Sequence, residues 1–247
     1  MSFRSIRGEK GKESMLSACN SHGEVQAAEV EPQDGPFFCC ACRGPVILKQ
    51  GHIKIPHFAH LPDAHCVGAS MGESEEHQRI KLEIYQALLR TPGVTDVRLE
   101  RYLEEVRPDV SFVLGGELVA VEIQLSLLTR DQIAWRTKAY TEKKVAVLWM
   151  PSCSKELFQA RYAPTDWERY LHTLYFGKVY YWLEGLTLRP VKFREYRLAS
   201  GWYSGTRRSK RYVSPLLLPA VSLTDLAPVW RKPWRDWPHA KLWTEPW

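Results

Sequence analysis

Two acids flanking a short apolar hairpin could do metal chemistry in this chain. Asp109 follows Arg107-Pro108, and Glu122 stands in Val121-Glu122-Ile123-Gln124. Between them, Phe112-Val113-Leu114 and Leu118-Val119-Ala120-Val121 are apolar and strand-forming, and Gly115-Gly116 supplies a two-residue turn. Pairing across that turn returns Glu122 to the end of the hairpin where Asp109 begins. Two carboxylates converging at a sheet edge suit a hard divalent cation, Mg²⁺ or Mn²⁺. Such a cation activates water and offsets the negative charge that builds on a phosphate during cleavage. The competing reading is a surface hairpin with two unrelated acids.

A second donor set lies upstream. Cys39 and Cys42 form a Cys-x-x-Cys knuckle with Gly44 just beyond, and Pro56-His57-Phe58-Ala59-His60 and Cys66 follow. Two thiols at knuckle spacing, then a histidine and a thiol, suit a tetrahedral Zn²⁺. The expected ligands are Cys39, Cys42, His60 and Cys66. His57 is the alternate, because an extended segment points His57 and His60 differently. A unit this small has little core of its own, so the metal would hold it together. Reduced core cysteines, or a knuckle that has lost its metal, are the alternatives.

The elements that must position these groups can be read in order. Residues 1–14 are polar and read as a disordered or start extension. Met15 to Ala18 begins a strand, Asn20 to Gly23 turns, and Val25 to Val30 returns. Val46 to Lys49 and His52 to Ile55 read as two strands around Gln50-Gly51. A helix from about Glu73 to Arg90 carries an apolar stripe at Ile80, Ile84, Ala87 and Leu88. His77 and Lys81 flank that stripe, placed either to face a site or to form an exposed ion pair. Val94 to Leu99 is a strand, Thr129 to Lys143 a helix carrying Arg136 and Tyr140, and Val145 to Met150 a buried strand. The result is an α/β sandwich with a mixed central sheet, the arrangement of restriction-endonuclease-like nucleases, preceded by a small β unit that carries the Cys/His set. From Thr165 a short helix precedes an aromatic hairpin, Lys178 to Leu183 and Leu186 to Val191.

Composition is that of an ordinary globular chain: 247 residues, 45% hydrophobic and 25% charged. No apolar run approaches a membrane span, and Met1 to Ser21 has no signal-peptide core, so a cytoplasmic protein is expected. Its six cysteines should then be reduced or metal-bound rather than bridged. The net charge of +6 is modest, but cations interleave with aromatics at Arg207 to Arg211 and at Trp230 to Arg235. Cations track phosphates and rings stack on bases, which makes this a candidate surface for single-stranded or flexible DNA. The alternative is a basic tail whose tryptophans pack back on the domain.

Pro108-Asp109 and Glu122-Ile123-Gln124 resemble the PD-(D/E)xK nuclease core, with Gln124 where lysine is usual. Taken with Met15-Leu16-Ser17-Ala18, Cys39-x-x-Cys42 through His60, Glu73-Ser74-Glu75-Glu76-His77 with Lys81, Arg136-Thr137-x-x-Tyr140, Trp149 and Leu171 to Tyr180, the chain resembles the competence protein CoiA family over about residues 15–195. The resemblance implies a zinc-ribbon-like domain at 15–69, a nuclease-like domain at 70–160 and a variable, aromatic and basic region at 161–247. It also implies a part in DNA uptake and processing during transformation. Two positions depart from the pattern: Gln124, and Cys40 where proline is commoner.

The function this implies is metal-dependent cleavage of DNA, single-stranded or branched, with recombination proteins as possible partners. Asp109 and Glu122 would hold Mg²⁺ or Mn²⁺ with the Ile123 carbonyl. Glu76 would be the third acid, with Glu73 its competitor. Gln124 would orient water, His77 would orient or contact the phosphate, and Lys81 or Arg136 would supply the missing lysine's charge. The competing expectation is an inactive module on the same fold, which binds DNA or recruits recombination proteins.

Overall fold

The computed structural model describes residues 15–51, 55–61, 66, 74–125, 128–199, 206–233 and 239–246. The extension at 1–14, the strand residues His52, Ile53 and Lys54, the acid Glu73 and the tail residues Trp234 and Arg235 lie outside them.

The N-terminal unit is one five-stranded sheet: β1 (Ser17–Asn20), β2 (Gly23–Gln26), β3 (Phe37–Phe38), β4 (Pro45–Lys49) and β5 (His57–His60), in the order β2-β1-β3-β4-β5. The strand that pairs with β4 comes later in the chain than the segment His52 to Ile55, with Ile47 opposite Ala59 and Lys49 opposite His57. Phe58 sets this register. Its ring is fully buried 5.0 Å from that of Phe37, and its backbone exchanges hydrogen bonds of 2.7 and 2.9 Å with Met15.

One expectation fails in this unit. Cys19 and Cys40 form a disulfide, where reduced or metal-bound thiols are expected throughout. β1 pairs with β3 through Cys19 opposite Phe38, and that pairing brings the Cα atoms of Cys19 and Cys40 to 5.3 Å, within disulfide reach.

The larger unit begins with α1 (Glu75–Leu89), β6 (Val94–Leu99), β7 (Val110–Leu114), β8 (Glu117–Gln124), α2 (Arg130–Glu142) and β9 (Ala146–Pro151). The β7–β8 turn requires positive φ at both central residues, 60° at Gly115 and 81° at Gly116, which is why two glycines stand there. Ser74 caps α1 by accepting the His77 N–H, and the buried face Ile80, Ile84 and Leu88 packs on β6, β7 and β8. Thr129 and Gln132 cap α2 reciprocally. β8 and β9 run parallel with Glu122 beside Trp149, and β9 is buried along its whole length.

The rest of the chain gives α3 (Asp166–Leu174), β10 (Val179–Glu184), β11 (Thr187–Ala199), β12 (Thr206–Leu217), β13 (Val221–Ser222), β14 (Ala227–Arg231) and β15 (Ala240–Thr244). The last two strands join the central sheet, whose order is β14-β15-β9-β8-β7-β6. β15 lies parallel to β9, Leu242 opposite Val147. Trp243 is buried, its ring edge-on to Phe112 at 6.1 Å. Apolar burial, about 25 cal/mol per Å², explains why the aromatics of this segment pack into the sheet.

The remaining strands form a separate sheet, β10-β11-β12, with β13 on β11. β10 pairs with β11 only as far as Val191. Beyond it β11 pairs with β12 alone, out to Ala199 opposite Thr206, as a two-stranded ribbon. The protein is thus an α/β fold with a mixed sheet, preceded by a Cys-rich β unit. Among the described residues no helix is long and apolar enough to cross a membrane.

Candidate active site and metal cluster

Antiparallel pairing of β7 with β8, Val110 opposite Val121, puts Asp109 and Glu122 at the same end of the hairpin. Both are buried. Asp109 Oδ2 accepts the Ile123 N–H at 2.7 Å and faces His77 Nε2 at 3.1 Å, while Oδ1 lies 3.2 Å from Lys81 Nζ. Burial alone would push this carboxyl up. Lys81, His77 and the Ile123 N–H outweigh burial and hold it well below the usual carboxylate range.

Glu122 is in the opposite condition. Burial pushes its carboxyl up to about 7, and the Asp109 charge adds to that, against the pull of Arg136, Tyr140 and Lys81. Arg136 Nη2 and the Tyr140 hydroxyl both donate to Glu122 Oε1, at 2.5 Å each. Its Oε2 accepts no hydrogen bond from a described residue. Arg136 also donates to the Arg107 carbonyl at 3.1 Å, and its guanidinium lies over Trp149, 5.2 Å from the ring centroid. Trp149 is itself pinned by its indole N–H to Thr137 Oγ1 at 3.0 Å.

Lys81 lies deeper than an exposed helical lysine would. It is 1% exposed, and its ammonium sits 2.9 Å from Glu100 Oε1 as well as against Asp109. Glu100 is the group that sequence reasoning missed. It is buried and adopts a left-handed backbone, φ 51°. Its Oε2 lies 3.1 Å from Arg107 and accepts the Leu16 N–H at 3.0 Å. Burial pushes its carboxyl up, but Lys81 and Arg107 outweigh that and leave it lowered. No local signal marks Glu100, because its partners lie at 16, 81 and 107.

The other expected residues fall as follows. Gln124 is buried on β8, two residues from Glu122 and so on the same strand face. Glu76 is exposed in the first turn of α1, and among the described residues no hydrogen bond or ion pair joins it to Asp109 or Glu122. Glu100 is a further buried acid here, linked to Asp109 through Lys81. Three acids therefore meet three fixed cations, Lys81, Arg107 and Arg136, with His77 beside them. Asp109 and Glu122 carry the carboxylate oxygens that a hard divalent cation takes as ligands.

In the N-terminal unit, the ligating atoms of Cys39, Cys42, His60 and Cys66 all lie within 4.8 Å of one another. Cys39 and Cys66 sulfurs are 3.9 Å apart, and Cys42 Sγ is 3.4 Å from His60 Nε2. The knuckle is shaped by its backbone: Cys39 N–H donates to the Gly44 carbonyl, Arg43 N–H donates back to Cys39, and Arg43 takes φ 60°. The Gly44 N–H donates to Cys42 Sγ, and a Cβ on Gly44 would crowd that sulfur at 3.3 Å. Burial pushes the Cys42 thiol up, but the Gly44 N–H and the neighbouring thiols together outweigh it and leave it lowered. His57 is turned away, its Nδ1 on the Ile55 carbonyl at 2.8 Å. The cluster has the donor set of a tetrahedral thiolate–imidazole metal site.

Comparison with known proteins agrees with this layout. A family model described as "Competence protein CoiA, N-terminal domain" matches residues 19–68, which hold the Cys/His cluster. One described as "Competence protein CoiA, nuclease-like domain" matches residues 73–172, which hold the acid site. The chain is 31% identical over 121 residues to Competence protein CoiA of Bacillus subtilis (strain 168), a match covering 48% of this chain and 32% of that protein. The matched stretch is thus about a third of the relative's length. With both domains in order, this chain belongs to the competence protein CoiA family.

Proposed function

We propose that the chain is a metal-dependent deoxyribonuclease that hydrolyses phosphodiesters in DNA uptake, processing or recombination. The observation that carries this reading is the buried pair Asp109 and Glu122, converging at one hairpin end inside the nuclease-like region. Mg²⁺ or Mn²⁺ held by those two residues would supply a water of lowered pKa and charge at the phosphate. The other roles belong to the chain. Gln124, on the Glu122 face of β8, is placed to orient water. Lys81 and Arg136, both held in fixed geometry, keep positive charge where the phosphate becomes more negative. His77 orients Asp109. In the N-terminal unit, Zn²⁺ on Cys39, Cys42, His60 and Cys66 is structural.

A second reading is supported by a specific observation: each acid already has an internal cation, Lys81 on Asp109 and Arg136 on Glu122. Such a site can stand as a structural ion cluster in a module that only binds DNA or recruits recombination proteins. Purified protein incubated with single-stranded, duplex and branched DNA and Mg²⁺ or Mn²⁺ separates the two. Cleavage abolished in both Asp109→Ala and Glu122→Ala is the expected result. A folded, zinc-loaded wild type that cuts none of these substrates would leave the binding-module reading.

A further inference from the structure

The charge of this chain is concentrated in one place. Between Lys192 and Arg211 stand seven cations and one acid, Glu195, an excess of six that equals the net +6 of the whole chain. The remaining residues are balanced. Its described residues, 192–199 and 206–211, lie on the two-stranded ribbon where β11 and β12 run on past β10.

The ribbon lines one wall of a cleft of about 560 Å³, and α3 lines the other. Arg194, Arg208 and Lys210 come from the ribbon and are exposed; Arg169 comes from α3. Glu195, the one acid, is shared between Arg197 at 2.8 Å and Arg208 at 3.9 Å, and so neutralises only part of the set. Rings in the cleft are already engaged. Phe193 stacks on His172 at 4.8 Å with the planes 11° apart, and Arg161 and Arg211 lie over Tyr212, 4.5 and 5.3 Å from its centroid. Arg169 is tied by Nη2 to the Arg211 carbonyl at 2.6 Å. These rings brace the walls, so among the described residues the cleft presents positive groups rather than a ring set out for base stacking.

We infer that this cleft binds the sugar-phosphate backbone of a nucleic-acid strand, without reading its bases, as an anchoring site separate from the acid pair. A row of cations neutralises successive phosphates and releases their counterions, which gives strong salt dependence and no sequence preference. α3 packs against α2, the helix that carries Arg136, so cleft and acid site share neighbouring helices. The inference rests on the nucleic-acid reading above but not on catalysis.

The test uses the full chain with Asp109→Asn, so that no cleavage intervenes, and a labelled single-stranded oligonucleotide titrated at several salt concentrations. Arg208→Ala with Lys210→Ala is compared with Lys138→Ala, an exposed cation on α2. The cleft variant should bind more weakly on oligonucleotides of any sequence. Its slope of log K against log salt should shrink by about 1.4, roughly 0.7 for each lost phosphate contact on a single strand. Lys138→Ala should do neither. Unchanged affinity and slope in the cleft variant, with its melting temperature intact, would overturn the inference. So would a cleft variant that loses binding to phosphatidylserine vesicles while keeping the oligonucleotide. Cleavage by wild type is assayed separately. A wild type that binds through the cleft but never cuts would fail the nuclease reading and leave this one standing; a cutting enzyme with an unaffected cleft variant would do the reverse.

Discussion

The Cys/His cluster and the acid site are built on different principles. All four cluster donors come from 28 residues of chain, 39 to 66, and a short knuckle brings the first two together. The acid site draws Leu16, His77, Lys81, Glu100, Arg107, Asp109, Glu122, Arg136 and Tyr140 from two units. The cluster's four donors are three thiols and an imidazole, to which a bound metal would bring positive charge. The acid site is charge-balanced by the protein before any metal arrives. A bound ion should therefore be structural in the first and an addition to an already stable cluster in the second. The Leu16 N–H on Glu100 and the Glu100–Lys81–Asp109 chain connect the two.

The largest effect should come from the cluster. Structural Zn²⁺ in small domains is worth on the order of 10 kcal/mol. Chelation, or Cys39→Ser with Cys66→Ser, should melt the N-terminal unit well before the rest, seen as a split calorimetric transition. A single unshifted transition would remove the contrast between the sites.

Next comes Lys81→Met. It leaves Glu100 and Asp109 buried without their shared cation, at a cost of about 3 to 5 kcal/mol by urea unfolding. A cost under about 1 kcal/mol would mean that the acid site is not balanced internally. Tyr140→Phe is milder. Losing a donor to a carboxylate costs roughly 1.5 kcal/mol, and it should move the Glu122 titration to still higher pH.

The smallest effect sharpens the comparison through pH. The Glu122 carboxyl sits at about 7 in the folded protein against an ordinary 4.5. Between those values the folded state holds more protons than the unfolded, so metal-free stability should fall as pH rises through that window. A divalent ion must displace this proton. The Mn²⁺-induced rise in melting temperature should therefore weaken as pH drops below 7 and level off above it, with affinity changing about tenfold per pH unit. Asp109, held low, stays ionised throughout and adds nothing to this window. A metal shift flat from pH 5.5 to 8 would show that Glu122 is not a ligand.

Several features were legible in the chain. Gly115-Gly116 fixed a hairpin because only glycine adopts two successive left-handed conformations freely, and that turn alone carries Glu122 back towards Asp109. The Cys-x-x-Cys spacing marked the knuckle, and the helix expected from Thr129 begins there, with Thr129 as its cap. Other features left no local trace. Nothing near Glu100 in the chain announces that Lys81 lies between it and Asp109. The cysteines at 19 and 40 looked like reduced thiols until β1 met β3.

Turns, caps, strand alternation and ligand spacing act within a few residues, and so could be read along the chain. That Lys81 is buried between two acids, that Glu122 is proton-hungry while Asp109 is not, and that β15 enters the central sheet beside β9 emerge only once the chain has folded. The reason is physical. Burial and ion pairing depend on what lies across the fold, and a charged group's state is set by its neighbours in space rather than in the chain.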